Sequence, residues 1–429
     1  MKITSIETVR CAWYPRPVWV QVRTDDGLVG LGETTGGPGA VEEVVHRELA
    51  DMLIGATPFD VEGLHAAMVR RMRLWRSRDA ALRAVSALDV ALWDIVGQAK
   101  SEPIWRMLGG KARDSIRVYN TCASAAYAVR RGEGAGGLSR PGGGLTSPSP
   151  QPSPARRGGE TGQSKTKSVK SGESMVSPDD LQWFLTDAGG LAKSLLDDGF
   201  TAMKIWPFDQ FAPDTGGHHI SSADIEMGLA PFRSIRDAVG NRMEVAAELH
   251  AVWSLPAVLR IVDALNEFDL MWVEDPVGAH DVEALAQVAR ISRSPVAGSE
   301  ALATRESYVD LFDRGRVGVC MLDVCWVGGL TEAKAIAAMA QAAKVPVTPH
   351  DCTGPVNLMA GLHLSIHAPN VLVQETVRAF NREVYPHVVD RLPRIEGGVA
   401  HAPADPGLGM ALRKEFLRDP VTRIRTSGR

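Results

Sequence analysis

The 429-residue sequence lacks the features that mark membrane, secreted or nucleic-acid-binding proteins. No apolar run approaches the roughly 20 residues that a membrane-spanning helix needs. The opening MKITSIETVR lacks the apolar core of a signal peptide, and the net charge of -4 gives no basic surface for nucleic acid. We therefore expect a cytoplasmic protein that binds neither membranes nor nucleic acid.

Cysteine is scarce and scattered, and the sequence also has no dinucleotide-binding motif. The cysteines are Cys11, Cys122, Cys320, Cys325 and Cys352. Their number is odd and no pair has the CxxC spacing of a zinc site, so we expect reduced thiols. No GxGxxG opens a helix after a strand, which disfavours an open, doubly wound nucleotide-binding sheet.

The first 115 residues predict an α+β domain. Apolar and polar residues alternate, as in strands, at 3–10, 18–23 and 27–33. Apolar residues then recur at helical spacing, from about 41 to 53, 61 to 74 and 80 to 99. The tail from about residue 392, with its glycines and prolines, departs from the pattern before it and is expected to return to this domain.

Residues 116–391 change to short, β-branched apolar runs that alternate with amphipathic helical stretches. This alternation is the signature of a parallel sheet with crossover helices. The eight runs lie at 116–121, 202–206, 244–249, 270–273, 296–298, 319–322, 345–348 and 371–374. Their spacing after the second run, about 25 to 40 residues, favours a (β/α)8 barrel over the open sheet that is its rival.

Residues 131–177 interrupt this rhythm between the first two runs. The segment is rich in Gly, Ser, Pro and Lys and contains SPSPQPSPARR. Such a composition cannot bury enough apolar surface to offset the entropy lost on ordering. We predict a disordered insertion in the first βα loop.

Three consecutive runs of the predicted barrel end in an acidic residue, namely Glu248, Glu274 and Glu300. The carboxyl ends of barrel strands converge on one mouth, so these side chains should meet. Converging carboxylates repel one another without a cation, and each alone would be only a solvated loop residue. Three carboxylates with substrate oxygens form the all-oxygen site that Mg²⁺ prefers, and we predict one such ion.

The next three runs also end in residues that suit acid–base chemistry. Asp323 ends the sixth run and His350 the seventh, and a carboxylate beside an imidazole fixes one tautomer and raises basicity. Glu375 ends the eighth run and could donate to an enolate oxygen if it is protonated. The alternatives are a structural His–Asp pair and a simple ion pair of Glu375.

Lys204, Trp206 and His250 should face the same mouth. Lys204 and Trp206 are two residues apart at the end of the second run and point to one side. Lys204 would bind an anionic substrate group or act as a base, unless it only forms a salt bridge, and Trp206 would shape the pocket. His250, two residues after Glu248, could protonate a leaving hydroxyl, with a purely structural role as the alternative.

These residues belong to an ordered set of motifs that resembles the mandelate racemase subgroup of the enolase superfamily. The motifs span nearly the whole chain outside the insertion. They are Gly30-Leu-Gly-Glu-Thr, Ala87-Leu-Asp-Val-Ala-Leu-Trp-Asp, Gly199-Phe-Thr-Ala-Met-Lys-Ile, Val273-Glu-Asp-Pro, Gly298-Ser-Glu, Asp323 with Gly328-Gly329-Leu330, Pro349-His350, Glu375 and Pro406-Gly-Leu-Gly.

The resemblance implies a modified (β/α)8 barrel under an α+β capping domain made by the N-terminal region, residues 1–115, and the C-terminal tail, residues 392–429. It also implies three carboxylates on Mg²⁺, a His–Asp dyad on the sixth and seventh strands, a metal-stabilised enediolate and a homo-oligomer. The cap loops, including Trp13, are expected to contact the substrate.

One departure from the family bears on the reaction. Members commonly carry two lysines around one residue at the second strand end, whereas this chain reads Lys204-Ile205-Trp206. The missing second lysine disfavours two-base racemisation. His350 as base and His250 as acid, as in members that dehydrate sugar acids, fit a dehydratase of an aldonate-type acid sugar.

Several alternatives to dehydration stay open from the sequence. A cycloisomerase, a racemase or an epimerase would use the same enediolate, and the roles of the two histidines could be exchanged. A Schiff-base lyase would use Lys204 as its nucleophile. A protein that binds a sugar acid without reacting it is the non-enzymatic alternative.

Overall fold

The structure, a computed structural model, describes residues 1–72, 79–129 and 179–428. The insertion predicted at 131–177 lies outside the described residues. The strands are β1 Ile3–Cys11, β2 Pro17–Thr24, β3 Val29–Thr35, β4 Ser115–Thr121, β5 Ala202–Ile205, β6 Glu244–Glu248, β7 Trp272–Glu274, β8 Val296–Gly298, β9 Val319–Leu322, β10 Val347–Pro349, β11 Gln374–Thr376, β12 Ile395–Glu396, β13 Val399–His401 and β14 Thr422–Gly428.

The helices lie mostly between these strands. They are α1 Pro38–Val44, α2 Ala50–Leu53, α3 Val61–Met72, α4 Ala80–Lys100, α5 Ile104–Met107, α6 Ala125–Val129, α7 Asp180–Asp197, α8 Ser222–Val239, α9 Leu255–Leu265, α10 Val282–Ile291, α11 Arg305–Asp313, α12 Leu330–Ala342, α13 Pro355–His367, α14 Arg378–Glu383 and α15 Lys414–Arg418. A π-helical stretch, Val45–Leu49, joins α1 to α2.

The N-terminal sheet is antiparallel and has the order β14-β1-β2-β3. Helix α4 lies directly on β3 because two glycines remove the side chains that would separate them. A Cβ at Gly32 would lie 1.8 Å from the carbonyl oxygen of Ala87, and one at Gly30 would lie 2.1 Å from that of Ala91. The Gly30 motif and the Ala87 motif are therefore the two sides of one contact.

Strands β4 to β11 form the barrel. Strands β4 to β10 pair in parallel in chain order, and β11 pairs in parallel with β4. The segment just before β11 also bonds to β10: the Val347 N–H donates to the carbonyl of Asn370 at 2.9 Å and the Leu372 N–H donates to that of Val347 at 2.8 Å. The interior is filled by Tyr119, Ala202, Ala246, Trp272, Ala297, Val319, Met321 and Val373. The predicted barrel of eight parallel strands is confirmed.

The crossover helix α8 begins with a capping box. In α8, the Ser221 hydroxyl accepts from the Asp224 N–H at 3.1 Å, and the Asp224 carboxylate accepts from the Ser221 N–H at 3.2 Å. This capping box satisfies two backbone donors at the start of the helix. The apolar face of each crossover helix packs on the barrel, which leaves the carboxyl ends of the strands free to form a site.

The N-terminal domain covers the carboxyl end of the barrel and is hydrogen-bonded to it. The Thr34 hydroxyl donates to the carbonyl of Cys325 at 2.7 Å, and buried Glu33 accepts from the Asn357 N–H at 3.1 Å. Burial raises the pKa of Glu33 to about 8 although the hydrogen bond from Asn357 opposes the shift. The cap is thus joined to the barrel by buried polar contacts as well as by apolar packing.

The tail contacts both units. Strand β13 pairs antiparallel with β4 at the barrel edge, whereas β14 pairs antiparallel with β1 of the cap. The fold class predicted from the sequence, a modified barrel with a cap that the tail helps to form, is confirmed. No helix in the described ranges has both the length and the apolar character needed to cross a membrane.

Candidate active site

A cavity of about 1120 Å³ lies between the cap and the carboxyl end of the barrel. Six of the residues singled out from the sequence line it. They are Lys204, Trp206, Glu248, His250, Glu300 and His350. The strand ends therefore bring together most of the predicted site, as parallel strands in a barrel should.

Glu274 lies one layer deeper than the cavity wall. Its carboxylate accepts from the Trp272 indole N–H at 2.7 Å and contacts the Lys204 ammonium. The same ammonium lies 3.4 Å from Glu248, so one positive charge connects the carboxylates of Glu248 and Glu274. The two predicted ligands are within reach of a single cation, although only Glu248 lines the cavity.

Asp275 lines the cavity beside Glu300 and was missed from the sequence. Alternation along a strand predicts that Asp275 points away from Glu274. Strand β7 ends at Glu274, however, and Asp275 has a φ of 37°, so the chain turns. Burial and the charges of Glu300 and Glu248 raise the pKa of Asp275 well above its ordinary value.

Two buried carboxylate oxygens at this place have no hydrogen-bond partner among the described residues, Asp275 Oδ1 and Glu300 Oε2. Unpaired buried carboxylates are costly unless a cation or a proton compensates their charge. No three His, Cys, Asp or Glu residues of the described ranges are already arranged as a metal site. The donor set, which contains only oxygen, nevertheless fits a hard divalent cation such as Mg²⁺.

Lys204 is the charge that balances this cluster. It is 3% exposed and contacts Glu274, Glu248 and Glu375, the last at 3.0 Å. Burial by itself lowers the pKa of Lys204, but Glu274 and Glu375 raise it well above its ordinary value. An amine that stays protonated is a poor nucleophile, which argues against the Schiff-base alternative.

His350 and Asp323 form the predicted dyad. His350 Nδ1 lies 2.8 Å from Asp323 Oδ2, and the Asn357 amide donates to that oxygen at 3.0 Å. Burial by itself lowers the pKa of His350, but Glu375 and Asp323 raise it to about 10. The carboxylate fixes one ring nitrogen and leaves Nε2 as the nitrogen that can react.

A second imidazole–carboxylate pair lies on the same cavity. His250 Nδ1 is 2.6 Å from Asp209 Oδ2, and the His250 N–H donates to Glu248 at 2.6 Å. Burial opposes protonation of His250, but Asp209 and Glu248 raise its pKa to about 9. Asp209 was missed because it lies in the 3-10 turn Asp209–Phe211, four residues beyond β5, where no strand pattern fixes direction.

Glu375 is buried at the barrel mouth beside Lys204. Burial by itself raises its pKa, but Lys204 and His350 lower it below its ordinary value. The carboxylate accepts from the Thr121 hydroxyl and, at 2.9 Å, from the Asp351 N–H. In these contacts the Glu375 carboxylate is a hydrogen-bond acceptor, and its role as a donor to an enolate oxygen stays a prediction.

The two tryptophans selected from the sequence have different positions. Trp206 lines the cavity, and its ring contacts His250 edge-on at 5.7 Å between centroids. The structure does not bring Trp13 to the cavity, because Trp13 stacks on Tyr14 at 5.8 Å and meets Phe416 of the tail at 6.0 Å. Tyr14 lines the cavity instead, and its hydroxyl donates to the Thr353 carbonyl at 2.8 Å.

Comparisons with known proteins agree with this architecture. Residues 3–109 match the family model of the mandelate racemase / muconate lactonizing enzyme N-terminal domain, and residues 187–416 match that of the enolase C-terminal domain-like family. The chain thus carries both domains of the enolase superfamily in order and belongs to that superfamily. Within it, the chain is a member of the mandelate racemase subgroup, and the prediction of an enzyme is confirmed.

Individual relatives cover nearly the whole chain. D-galactonate dehydratase from Ralstonia pickettii is 27% identical, over 97% of this chain and 94% of its own. The crystal structure of an enolase protein from Sargasso Sea environmental sequencing is 37% identical, with a TM-score of 0.82, 100% of this chain covered and 99% of that one. A mandelate racemase subgroup enolase from Agrobacterium tumefaciens is also 37% identical, with the same coverage and a TM-score of 0.81.

Proposed function

We propose that this protein is a Mg²⁺-dependent dehydratase of an aldonate-type acid sugar. It removes the proton next to the carboxylate and eliminates the 3-hydroxyl, so that the products are a 2-keto-3-deoxy acid and water. The observation that carries the proposal is a single cavity lined by two imidazoles, each paired with an aspartate, and by several carboxylates. The relatives named D-galactonate dehydratase support the reaction class and leave the substrate open.

His350 is the proposed base. Asp323 occupies Nδ1, so Nε2 accepts the substrate proton, and Asn357 keeps the aspartate in place. The neutral imidazole is the form that accepts a proton. Binding at the barrel mouth must therefore offset the negative charge of Glu375 and Glu300, which raises the pKa of His350.

The barrel carboxylates Glu248, Glu274 and Glu300 are the proposed metal ligands, with Asp275 beside them. A bound Mg²⁺ would supply the positive charge that stabilises the two oxygens of an enediolate. Lys204 remains protonated among the same carboxylates and adds a second positive charge to this end of the cavity. The reacting carboxylate of the substrate is thereby directed toward the barrel.

His250 is the proposed acid. Asp209 occupies its Nδ1 and orients the ring, which leaves Nε2 to protonate the departing hydroxyl. Trp206 occupies the position where two-base relatives would carry a second lysine, and its ring packs against His250. One base, one acid and no second base favour elimination over racemisation.

The full-length protein with Mg²⁺ should convert at least one acid from a panel of sugar acids, measured as 2-keto acid formation. A chelator should abolish this turnover and added Mg²⁺ should restore it. Exchange of the α-proton in D₂O without elimination would indicate an epimerase or racemase, and lactone interconversion would indicate a cycloisomerase. Binding without any exchange would mean that the protein is not a catalyst, and each of these three results contradicts the proposal.

A further inference from the structure

The two sides of the cavity carry opposite charges. The barrel side contributes Glu248, Asp275 and Glu300. The cap side contributes four arginines, which we call the cap wall: Arg10, Arg16, Arg83 and Arg423. No aspartate or glutamate of the described residues lines the cavity from the cap. A substrate in this cavity therefore meets a cationic wall at the end away from the barrel.

Arg10 and Arg423 are directly opposite each other across the β1–β14 pairing. Like charges at opposed positions destabilise a sheet, so an anion that pairs with both guanidinium groups would stabilise this pairing. The carboxylate nearest to Arg10 is that of Glu42, at 3.8 Å, which is beyond hydrogen-bond distance and is shared with Arg425 at 3.7 Å. Arg423 is exposed and has no carboxylate within 4.0 Å among the described residues.

Arg425, two residues further along β14, does not line the cavity and differs from Arg423 in its ion pairs. Its guanidinium contacts Glu43 at 2.7 Å and Glu42 at 3.7 Å. Residues two apart in a strand lie on the same face, so Arg423 and Arg425 differ in surroundings and not in direction. The sheet pairs Arg425, outside the cavity, with a close carboxylate, whereas Arg10 and Arg423 at the cavity have none within hydrogen-bond distance among the described residues.

Arg83 extends the cap wall toward the reacting groups. It donates to the Thr35 carbonyl at 2.7 Å and lies over the Trp326 ring, 4.2 Å from its centroid, while that ring lies 5.4 Å from His350. These contacts fix the guanidinium plane and its position. The arginines therefore reach from the outer strand pair to the neighbourhood of the proposed base.

We propose that the cap wall is a subsite for a second anionic group, a terminal carboxylate or phosphate, on the substrate. The substrate class becomes an acid sugar with an oxyanion at each end, which refines the aldonate type and rests on the proposed function. Guanidinium groups bind carboxylate and phosphate through two parallel hydrogen bonds, so the wall suits either anion. The cavity, at about 1120 Å³, exceeds the range of about 300 to 1,000 Å³ common for ligand pockets and has room for both ends.

The test compares matched ligands on the full-length, Mg²⁺-loaded protein. The ligands are an aldonate, the diacid of the same configuration, and the aldonate phosphorylated on its terminal hydroxyl. Calorimetry gives their affinities and 2-keto acid formation gives kcat/KM. We expect the diacid or the phosphate to bind at least about tenfold more tightly than the aldonate. The one that binds more tightly shows whether the subsite prefers a carboxylate or a phosphate.

The variants are Arg10→Gln with Arg423→Gln, alone and together, and the matched control is Arg425→Gln. The double variant should lose the preference for the dianion and keep its affinity for the aldonate, and the control should retain both. If no dianion binds more tightly than the aldonate, or if the double variant weakens every acid equally, the subsite does not exist. A preference for dianions that persists in a protein without any turnover would contradict the proposed reaction and leave the subsite in place.

Discussion

The barrel mouth and the cap wall face one cavity, but their charged side chains differ in burial and in pairing. At the mouth, charged groups are buried and contact one another, as Lys204 does with Glu248, Glu274 and Glu375. On the cap, Arg423 is exposed and Arg10 has only a distant carboxylate. Ion pairs among buried side chains hold the reacting groups at hydrogen-bond distance from one another, and proton transfer requires such positioning.

The cap wall has the properties expected of a region that recognises substrates. Arg10 and Arg423 lie near strand ends, where a substitution changes the charge of the cavity without removing a close partner of a buried group. Recognition can therefore change in evolution while the barrel mouth keeps its chemistry. The difference between the two regions leads to the expectation that changes at the mouth affect turnover, whereas changes on the cap affect affinity or stability.

The largest effect should come from His350→Asn at the mouth. Removing the proposed base should lower kcat by about 10³-fold, because general-base catalysis contributes roughly 10² to 10⁴. The hydrogen bond from Asn357 to Asp323 does not involve the His350 ring and should remain. The thermal midpoint should therefore stay near that of the wild type. His219→Asn, in an exposed polar loop, is the control and should leave kcat unchanged. Turnover that survives His350→Asn would remove the dyad from the mechanism.

A change of intermediate size is expected where the cap is joined to its own tail. Asp94 of α4 accepts from the Leu31 N–H and from the Leu408 N–H, each at 2.8 Å. Asp94→Ala would leave both buried donors without a partner, which should lower the free energy of unfolding by about 2 to 5 kcal/mol. Denaturant unfolding measures this, and Asp79→Ala, at the exposed start of the same helix, is the control.

The pH dependence of stability gives a second measurement on Asp94. Burial raises its pKa to about 6, above the value of about 3.9 in an unfolded chain. The folded state therefore binds the proton more tightly, and this group's contribution is favourable at low pH and is lost as the pH rises from about 4 through 6. Asp94→Asn should show a smaller loss of stability over that window than the wild type. Parallel curves would mean that Asp94 titrates normally.

The sequence allowed the barrel and most of its mouth to be predicted because strand ends are local features. Apolar β-branched runs mark the strands, and the residue after each run marks the mouth, so Glu248, Glu300 and His350 could be found one at a time. The parallel barrel then brings them together whatever their separation along the chain.

Residues whose position depends on a turn or on a distant segment could not be predicted in this way. Asp275 reaches the cavity through one residue with positive φ, and Asp209 reaches it from a 3-10 turn. Trp13 packs on Phe416 of the tail and not on the cavity. Arg10 lies opposite Arg423 only because β14 pairs with β1. Such contacts are set by packing between segments that are far apart in sequence, and periodicity carries no signal for them.

The smallest effect should come from Asp209→Asn, which tests whether the pair formed by His250 and Asp209 takes part in the reaction. Asp209 is a positioning residue, because it contacts His250 and does not line the cavity. We expect kcat to fall by about 10- to 100-fold with little change in KM, since orientation of the acid is lost and binding is not. Asp214→Asn, in the exposed turn that follows, should have no effect.

The decisive measurement on Asp209→Asn separates the two proton transfers. If His350 is the base and His250 the acid, the variant should still exchange the α-proton of the substrate in D₂O while it forms 2-keto acid slowly. The ratio of exchange to elimination should therefore rise, which simple unfolding of the loop would not cause, because both rates would then fall together. If exchange and elimination fall by the same factor while the thermal midpoint of the variant is unchanged, the two histidines have the opposite roles, since elimination cannot proceed without proton abstraction and that abstraction would then depend on the pair formed by His250 and Asp209.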